Sequence, residues 1–296
     1  MNGQLGASLG SPLAAAVVNN VLAVCLLLGF AAVSGRLARA VRNLRNPTRR
    51  RGLRPWHLLA GINGGLYLAV GAEAAVTVGV AIFSIALVFG QLVGGLISDR
   101  FGISPAGRRP FTAPRLLGVA LGLTAVAIAS AGAGGEIEPW VIVATVLIGG
   151  ATGAQQAAMG HVTAATGEPT VAASINACGG IAIVLTIELA IAAVGDGLPP
   201  LDFAATSPPE WIGGFFAAGM LATVATVVGR LGLLVLALAL VSGQTVGSLI
   251  VDLVAPASGG AVTAATVAGV VLAVAAMAAT VIGGRPRART AQTGAE

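Results

Sequence analysis

The sequence predicts an all-α, polytopic membrane protein of about nine transmembrane helices, built as two five-helix repeats of inverted topology. Three observations predict it. Charged residues are 9% and hydrophobic residues 56% of the 296 positions, whereas an ordinary soluble domain carries roughly 25% charge. So few charges cannot cover a water-exposed surface, and the apolar content is far too high for disorder. Apolar segments recur at about the 20 residues that a helix needs to cross a roughly 30 Å hydrocarbon core. The basic residues gather in alternate connections between these segments.

The segments follow in order at 12–34, 55–76, 77–97, 115–133, 140–160, 169–194, 211–229, 231–253 and 261–282. The second and third touch with almost no loop. The seventh and eighth are parted only around Arg230. Trp56, Trp140 and Trp211 each open a span, as expected of an indole anchored at headgroup level.

Orientation comes from the sixteen basic residues, all of them Arg. Eight, from Arg36 to Arg54, lie between spans one and two. Arg100, Arg108, Arg109 and Arg115 lie between three and four, Arg230 between seven and eight, and Arg285, Arg287 and Arg289 after nine. With nine spans, all of these positions share one side, which the positive-inside rule makes cytoplasmic. The opposite connections hold Glu136, Glu138, Asp196, Asp202 and Glu210 and no Arg. The C-terminus is then cytoplasmic and the N-terminus outside, in a bacterial-type inner membrane. The three-residue spacing from Arg36 to Arg45 reads first as a topology signal, and second as a surface helix on anionic lipid.

The halves repeat. Residues 90–99, GQLVGGLISD, match residues 243–252, GQTVGSLIVD, at seven of ten positions. Gly10-Ser11-Pro12 matches Gly167-Glu168-Pro169, and Asn19 then matches Asn176 at the same offset. The second copy begins with an extra span, 140–160, so the repeat unit is five helices. Residues 1–133 form the first repeat with four helices, 134–284 the second with five, and 285–296 a cytoplasmic tail. A ten-span protein, with a first helix mostly upstream of Met1, is the expectation. An odd number of spans inverts the second copy, and the charges agree. The loop after span one has eight Arg, and its match around 196–210 has three acids and none. Inverted repeats are the usual frame of secondary transporters, with the substrate near the midplane.

These residues resemble the YdcZ-type inner-membrane exporters of the drug/metabolite transporter superfamily. The resemblance is carried by Asn2, Leu5 and Gly10-Ser11-Pro12, by Pro55-Trp56 with Gly61 and Gly64-Gly65, by Gly90-Gln91 through Asp99-Arg100-Phe101-Gly102, and by Arg108-Arg109-Pro110 leading to Arg115-Leu116-Leu117-Gly118. It covers nearly all of the first half and the second more loosely, where Gln155 sits at the family's first-helix Gln. The family is mostly single five-helix units, and this chain reads as two fused. The resemblance implies a transporter fold more firmly than any substrate.

Candidate substrate and coupling residues are the polar groups within spans. Gln91 and Gln244 must hydrogen-bond in lipid, and so face a helix or a wet cavity. Asn19, Asn176, Gln155 and Gln156 invite the same argument. Gly90 with Gly94, and Gly243 with Gly247, are small-xxx-small pairs that let helices approach. Glu188 and Glu73 are the in-span carboxylates, and a proton-coupled exporter needs one. Glu188 is the better placed, because no Arg lies within a span. Asp99 reads as a cap or as an ion pair with the adjacent Arg100, and His57 and His161 as interfacial groups.

The function expected is a secondary transporter that exports a small polar or cationic metabolite by alternating access. The alternative is a non-transporting or truncated membrane subunit. An enzyme is not expected, since no nucleophile and base, paired acids or HExxH are present. No cofactor is expected. Two His and two isolated Cys give no metal site. Nucleic-acid binding is excluded by the lack of aromatics among the Arg. The expected partners are membrane lipid and a small-molecule substrate. Proton coupling and a homodimer are left open.

Overall fold

The computed structural model describes residues 2–77, 79–103, 105–129, 139–195, 197 and 201–254, with isolated helical positions between 267 and 278. Every regular element among these is helical. A short helix α1 (Asn2–Leu9) leads into α2 (Pro12–Val33). The Arg-rich connection forms α3 (Arg36–Leu44) and the turn α4 (Pro47–Arg50). Then come α5 (Gly61–Thr77), α6 (Gly79–Phe101), α7 (Ala113–Ala129), α8 (Pro139–Thr166), α9 (Pro169–Val194), α10 (Ile212–Leu231) and α11 (Leu233–Val254). The ninth expected span falls almost entirely outside the described residues. So do the side chains of Glu73 and Gln244.

Among the described residues, Pro12–Val33, Pro139–Thr166, Pro169–Val194 and Pro208–Leu231 are long and apolar enough to cross a membrane. Their outer faces are apolar: Leu147 is 67% exposed and Phe216 69%. Such faces need lipid as their solvent, and a helix satisfies its own backbone there. What is buried is small or tightly packed. One core joins Ala23, Ala157, Ala172, Ala225 and Val228 of α2, α8, α9 and α10. Another joins Leu92, Val119, Leu234 and Leu238 of α6, α7 and α11.

Helix boundaries differ from the hydropathy reading in places with a local cause. The second span starts as a 3-10 turn, Pro55–Leu59, and becomes α-helical only at Gly61. The His57 side chain accepts the Arg54 backbone N–H at 3.0 Å and holds that turn closed. The fifth span runs six residues further, to Thr166, and carries His161 within it.

The two matched Gly-x-Pro junctions fold alike. Gly10 and Gly167 have φ of 74° and 72°. Each is followed by an extended residue, Ser11 or Glu168, and a proline in the first helical turn. Only glycine adopts such a φ without strain, and proline suits the first turn because its missing N–H has no partner there. Ser11 also caps α2 by accepting from the Ala14 N–H at 3.1 Å, worth about 1 kcal/mol.

The helices after these junctions, α2 and α9, pack against each other antiparallel. Ser11 at the start of α2 meets Glu188 near the end of α9 (3.0 Å). Arg36, just past the end of α2, meets Glu168 at the start of α9 (3.7 Å). Helix α5 packs on α9, and α10 on α2.

Candidate functional site

Helix α8 is the hub of the molecule, packed by α5, α6, α9, α10 and α11. Glycine lets it in. At Gly90 a Cβ would collide with the Val146 carbonyl, and at Gly94 with that of Gly150. Helix α5 meets α9 in the same way: a Cβ on Gly61 would strike the Asn176 carbonyl, and one on Gly65 would lie 2.9 Å from that of Gly180. Gly243 and Gly247 meet no described atom within 4 Å. Their resemblance to the first pair in sequence is not matched by a described contact.

Where these crossings meet, polar side chains link up. Asn63 Nδ2 donates to Gln155 Oε1 at 3.0 Å, and Gln155 Nε2 donates to Asn176 Oδ1 at 3.0 Å. The Ile148 carbonyl and the Thr152 hydroxyl lie 3.3 and 3.4 Å from the same Asn63 nitrogen. One relay thus ties α5, α8 and α9. On the other side of α8, Thr152 and Gln156 join Gln91 and Gly95 of α6 and Leu233 and Ala237 of α11 around a narrow crevice. Thr152 belongs to both, so the relay and the crevice form one polar seam. At 1.5 Å per residue, Gln155 lies about 16 Å and Asn176 about 10 Å from the turn between α8 and α9. Both residues therefore lie inside their helices, about three and two turns from that end.

Asn19 is buried on α2, whereas the residues named above lie on α5, α6, α8, α9 and α11. Glu188 is apart as well, half-buried at the other end of α9, where it accepts the Ser11 hydroxyl. Gln91, Gln155, Gln156 and Asn176 are brought together; Asn63 and Thr152 complete them and are not singled out by the sequence. Asn63 sits two residues after Gly61 and one before Gly64-Gly65, and that glycine run was the available signal.

The Arg-rich end carries two further clusters. Asp99, fully buried, accepts the Leu233 and Leu234 backbone N–H groups (2.8 and 3.3 Å) and so caps α11. It also pairs with Arg115, which is 5% exposed. Its partner is therefore Arg115 rather than Arg100, and the capped helix is not its own. The reason is that the α6–α7 connection folds back, with the Arg109 N–H on the Asp99 carbonyl at 2.8 Å.

Second, His57 is buried and stacks on His161, centroids 4.4 Å apart. His161 Nε2 also lies 2.9 Å from the Ile103 carbonyl. His57 stands in the turn before α5, outside the spanning helix. Its pKa is lowered to about 4 by burial, then by His161 and Arg54. Because Nδ1 accepts the Arg54 N–H, the neutral ring is the form that fits. Among the described residues no cluster of His, Cys, Asp and Glu could hold a metal, and Cys25 and Cys178 are free.

The sequence model of the family described as "Putative inner membrane exporter, YdcZ" matches residues 1–128 and again residues 140–279. The chain belongs to this family. The two matches make it a double YdcZ unit, with the boundary between α7 and α8. A solved chain described as "Crystal structure of protein" is similar over 96% of this chain and 92% of its own, with a TM-score of 0.64 and 15% identity. That likeness concerns the fold alone. Among curated proteins, none matches. Membership makes this YdcZ-family chain a membrane-embedded transporter protein.

Proposed function

We propose that the protein is a secondary transporter that exports a small polar or cationic metabolite through the seam around α8, by rocking of two inverted repeats. The observation that carries this is the hydrogen-bonded run Asn63–Gln155–Asn176, beside a crevice that Thr152, Gln156 and Gln91 line. Amide groups in lipid are retained where a partner or a solute satisfies them. These amides form chains of donor and acceptor that a polar solute can replace one bond at a time.

Inversion is supported by geometry. The matched helices α2 and α9 run antiparallel, and the matched helices α5 and α10 each pack on the helix that follows the other copy's Gly-x-Pro junction. Packing of one unit against an inverted twin allows the same contact to open at either end. The Arg-rich end faces the cytoplasm by the positive-inside rule, which sets the C-terminus inside. In this arrangement the crevice is closed, with no room for a water molecule. Glu188, near the outer ends, is the group proposed for proton coupling, and Ser11 holds it in place.

The test compares metabolites outside cells that overexpress the protein, cells that lack it, and cells with Gln155→Leu plus Asn176→Leu. A compound that accumulates outside only with the intact relay identifies the substrate. Identical profiles, with all proteins present in the membrane, would overturn the export reading.

A further inference from the structure

The Arg-rich end holds a feature that transport itself does not use. Helix α3 divides its residues among three faces. One face turns to the protein: Ala40 is buried, Arg39 and Arg36 reach Glu168 at 3.0 and 3.7 Å, and Asn43 donates to the Thr166 carbonyl at 2.7 Å. At 3.6 residues per turn, Leu37, Val41 and Leu44 line up about a third of a turn away. Leu37 and Val41 are 39% and 47% exposed, with nothing described to cover them. Arg42 and Arg45 lie beyond that stripe. The turn into α4 then brings Arg50 and Arg51 beside Arg45, and these three, with Leu44 and Pro47, line an open hollow of about 470 Å³. None of the three has an acidic partner among the described residues, unlike Arg36, Arg39 and Arg115.

We infer that this hollow binds the phosphate headgroup of an anionic phospholipid whose chains lie along Leu37 and Val41. Three unpaired guanidinium groups suit a phosphodiester, which they bind through forked N–H donors. The occupant is a lipid rather than free phosphate because the apolar stripe adjoins the hollow. Phe30 and Val33, exposed at the end of α2, put that stripe at the rim of the apolar belt. An Arg-bearing amphipathic helix with one apolar face lies in the membrane interface, and a basic run beside a spanning helix selects anionic headgroups. Through Glu168 and Thr166, α3 is tied to the turn between α8 and α9, so a bound lipid steadies the two helices that carry Gln155 and Asn176.

The experiment uses the full chain in neutral detergent, titrated with phosphatidylglycerol and followed by native mass spectrometry. Phosphatidylcholine with the same chains and glycerol phosphate without chains serve as comparisons. Phosphatidylglycerol is expected to bind tightest, and glycerol phosphate not at all in the same range. At about fivefold per arginine, Arg45→Gln, Arg50→Gln and Arg51→Gln together weaken phosphatidylglycerol about a hundredfold. Leu37→Ser plus Val41→Ser weakens both lipids. Should the triple variant not fold, the wild-type protein decides, since raised salt must weaken phosphatidylglycerol selectively. Equal binding of the two lipids, binding of glycerol phosphate as tight as the lipid, or full phosphatidylglycerol affinity in the triple variant would each overturn the assignment.

Discussion

Replacing Asp99 with alanine is the sharpest test of how the Arg-rich end is held. Asp99 has no exposed surface and makes three attachments: Arg115 of α7 and the backbone N–H groups of Leu233 and Leu234 at the start of α11. Removing one member of a buried ion pair costs about 3–5 kcal/mol, because the partner charge is left unpaired. Losing a helix cap costs about 0.5–2 kcal/mol. Both effects belong to one carboxylate and overlap, so about 4–6 kcal/mol is expected. For a chain of this size that lowers the melting temperature by about 10–20 °C.

The assay is survival of detergent-solubilised protein on heating, read by size-exclusion chromatography. Arg115→Leu should cost less, because the Asp99 carboxylate keeps its two amide donors. Asp99→Leu with Arg115→Leu should recover most of the loss and leave about the cap alone, roughly 1–2 kcal/mol. An Asp99→Ala protein that melts within about 2 °C of wild type would refute the reasoning. A double variant as unstable as Asp99→Ala would refute the part that rests on the stranded Arg115 charge.

Further expectations concern other parts of the molecule. Gly94→Val forces α6 and α8 apart and should abolish stable protein in the same heating assay, whereas Gly247→Ala, which meets no described atom, should leave it unchanged. His57, with its pKa lowered to about 4 against an ordinary 6.5, binds fewer protons folded than unfolded between those values. Stability should therefore fall as pH drops from 6.5 towards 4, and His57→Gln should flatten that fall in melting curves taken across this range. Glu188→Gln removes the proposed coupling proton, so export should lose its dependence on the proton gradient. If uptake by inside-out vesicles keeps that dependence, Glu188 is not the coupling group.

Much of the fold was legible because lipid imposes a simple grammar. Apolar length set α2, α8, α9 and α10 to within a few residues, except that α8 ran on to Thr166. That end is closed by Gly167, whose positive φ ends the helix after the small residues Thr163 to Thr166. The delayed start of α5 was not legible. It depends on a side-chain acceptor, His57 Nδ1, which hydropathy does not register. Of the polar seam, Gln91, Gln155, Gln156 and Asn176 were found by asking what an amide does in a membrane. Asn63 and Thr152 were missed because one Asn in a glycine run and one Thr in a helix are ordinary by themselves.

The sequence by itself determined that this is a helical membrane chain, that its halves repeat, and which end carries the arginines. These follow from composition, period and charge, which act locally on each segment. Only the tertiary structure decided which segments meet. It brought His57 to His161, Asp99 to Arg115 and α11, and Arg36 and Arg39 to Glu168. Between helices in lipid there is no hydrophobic drive to choose partners. Choice falls to close backbone approach at glycines and to a few hydrogen bonds, which exist only once the helices are side by side.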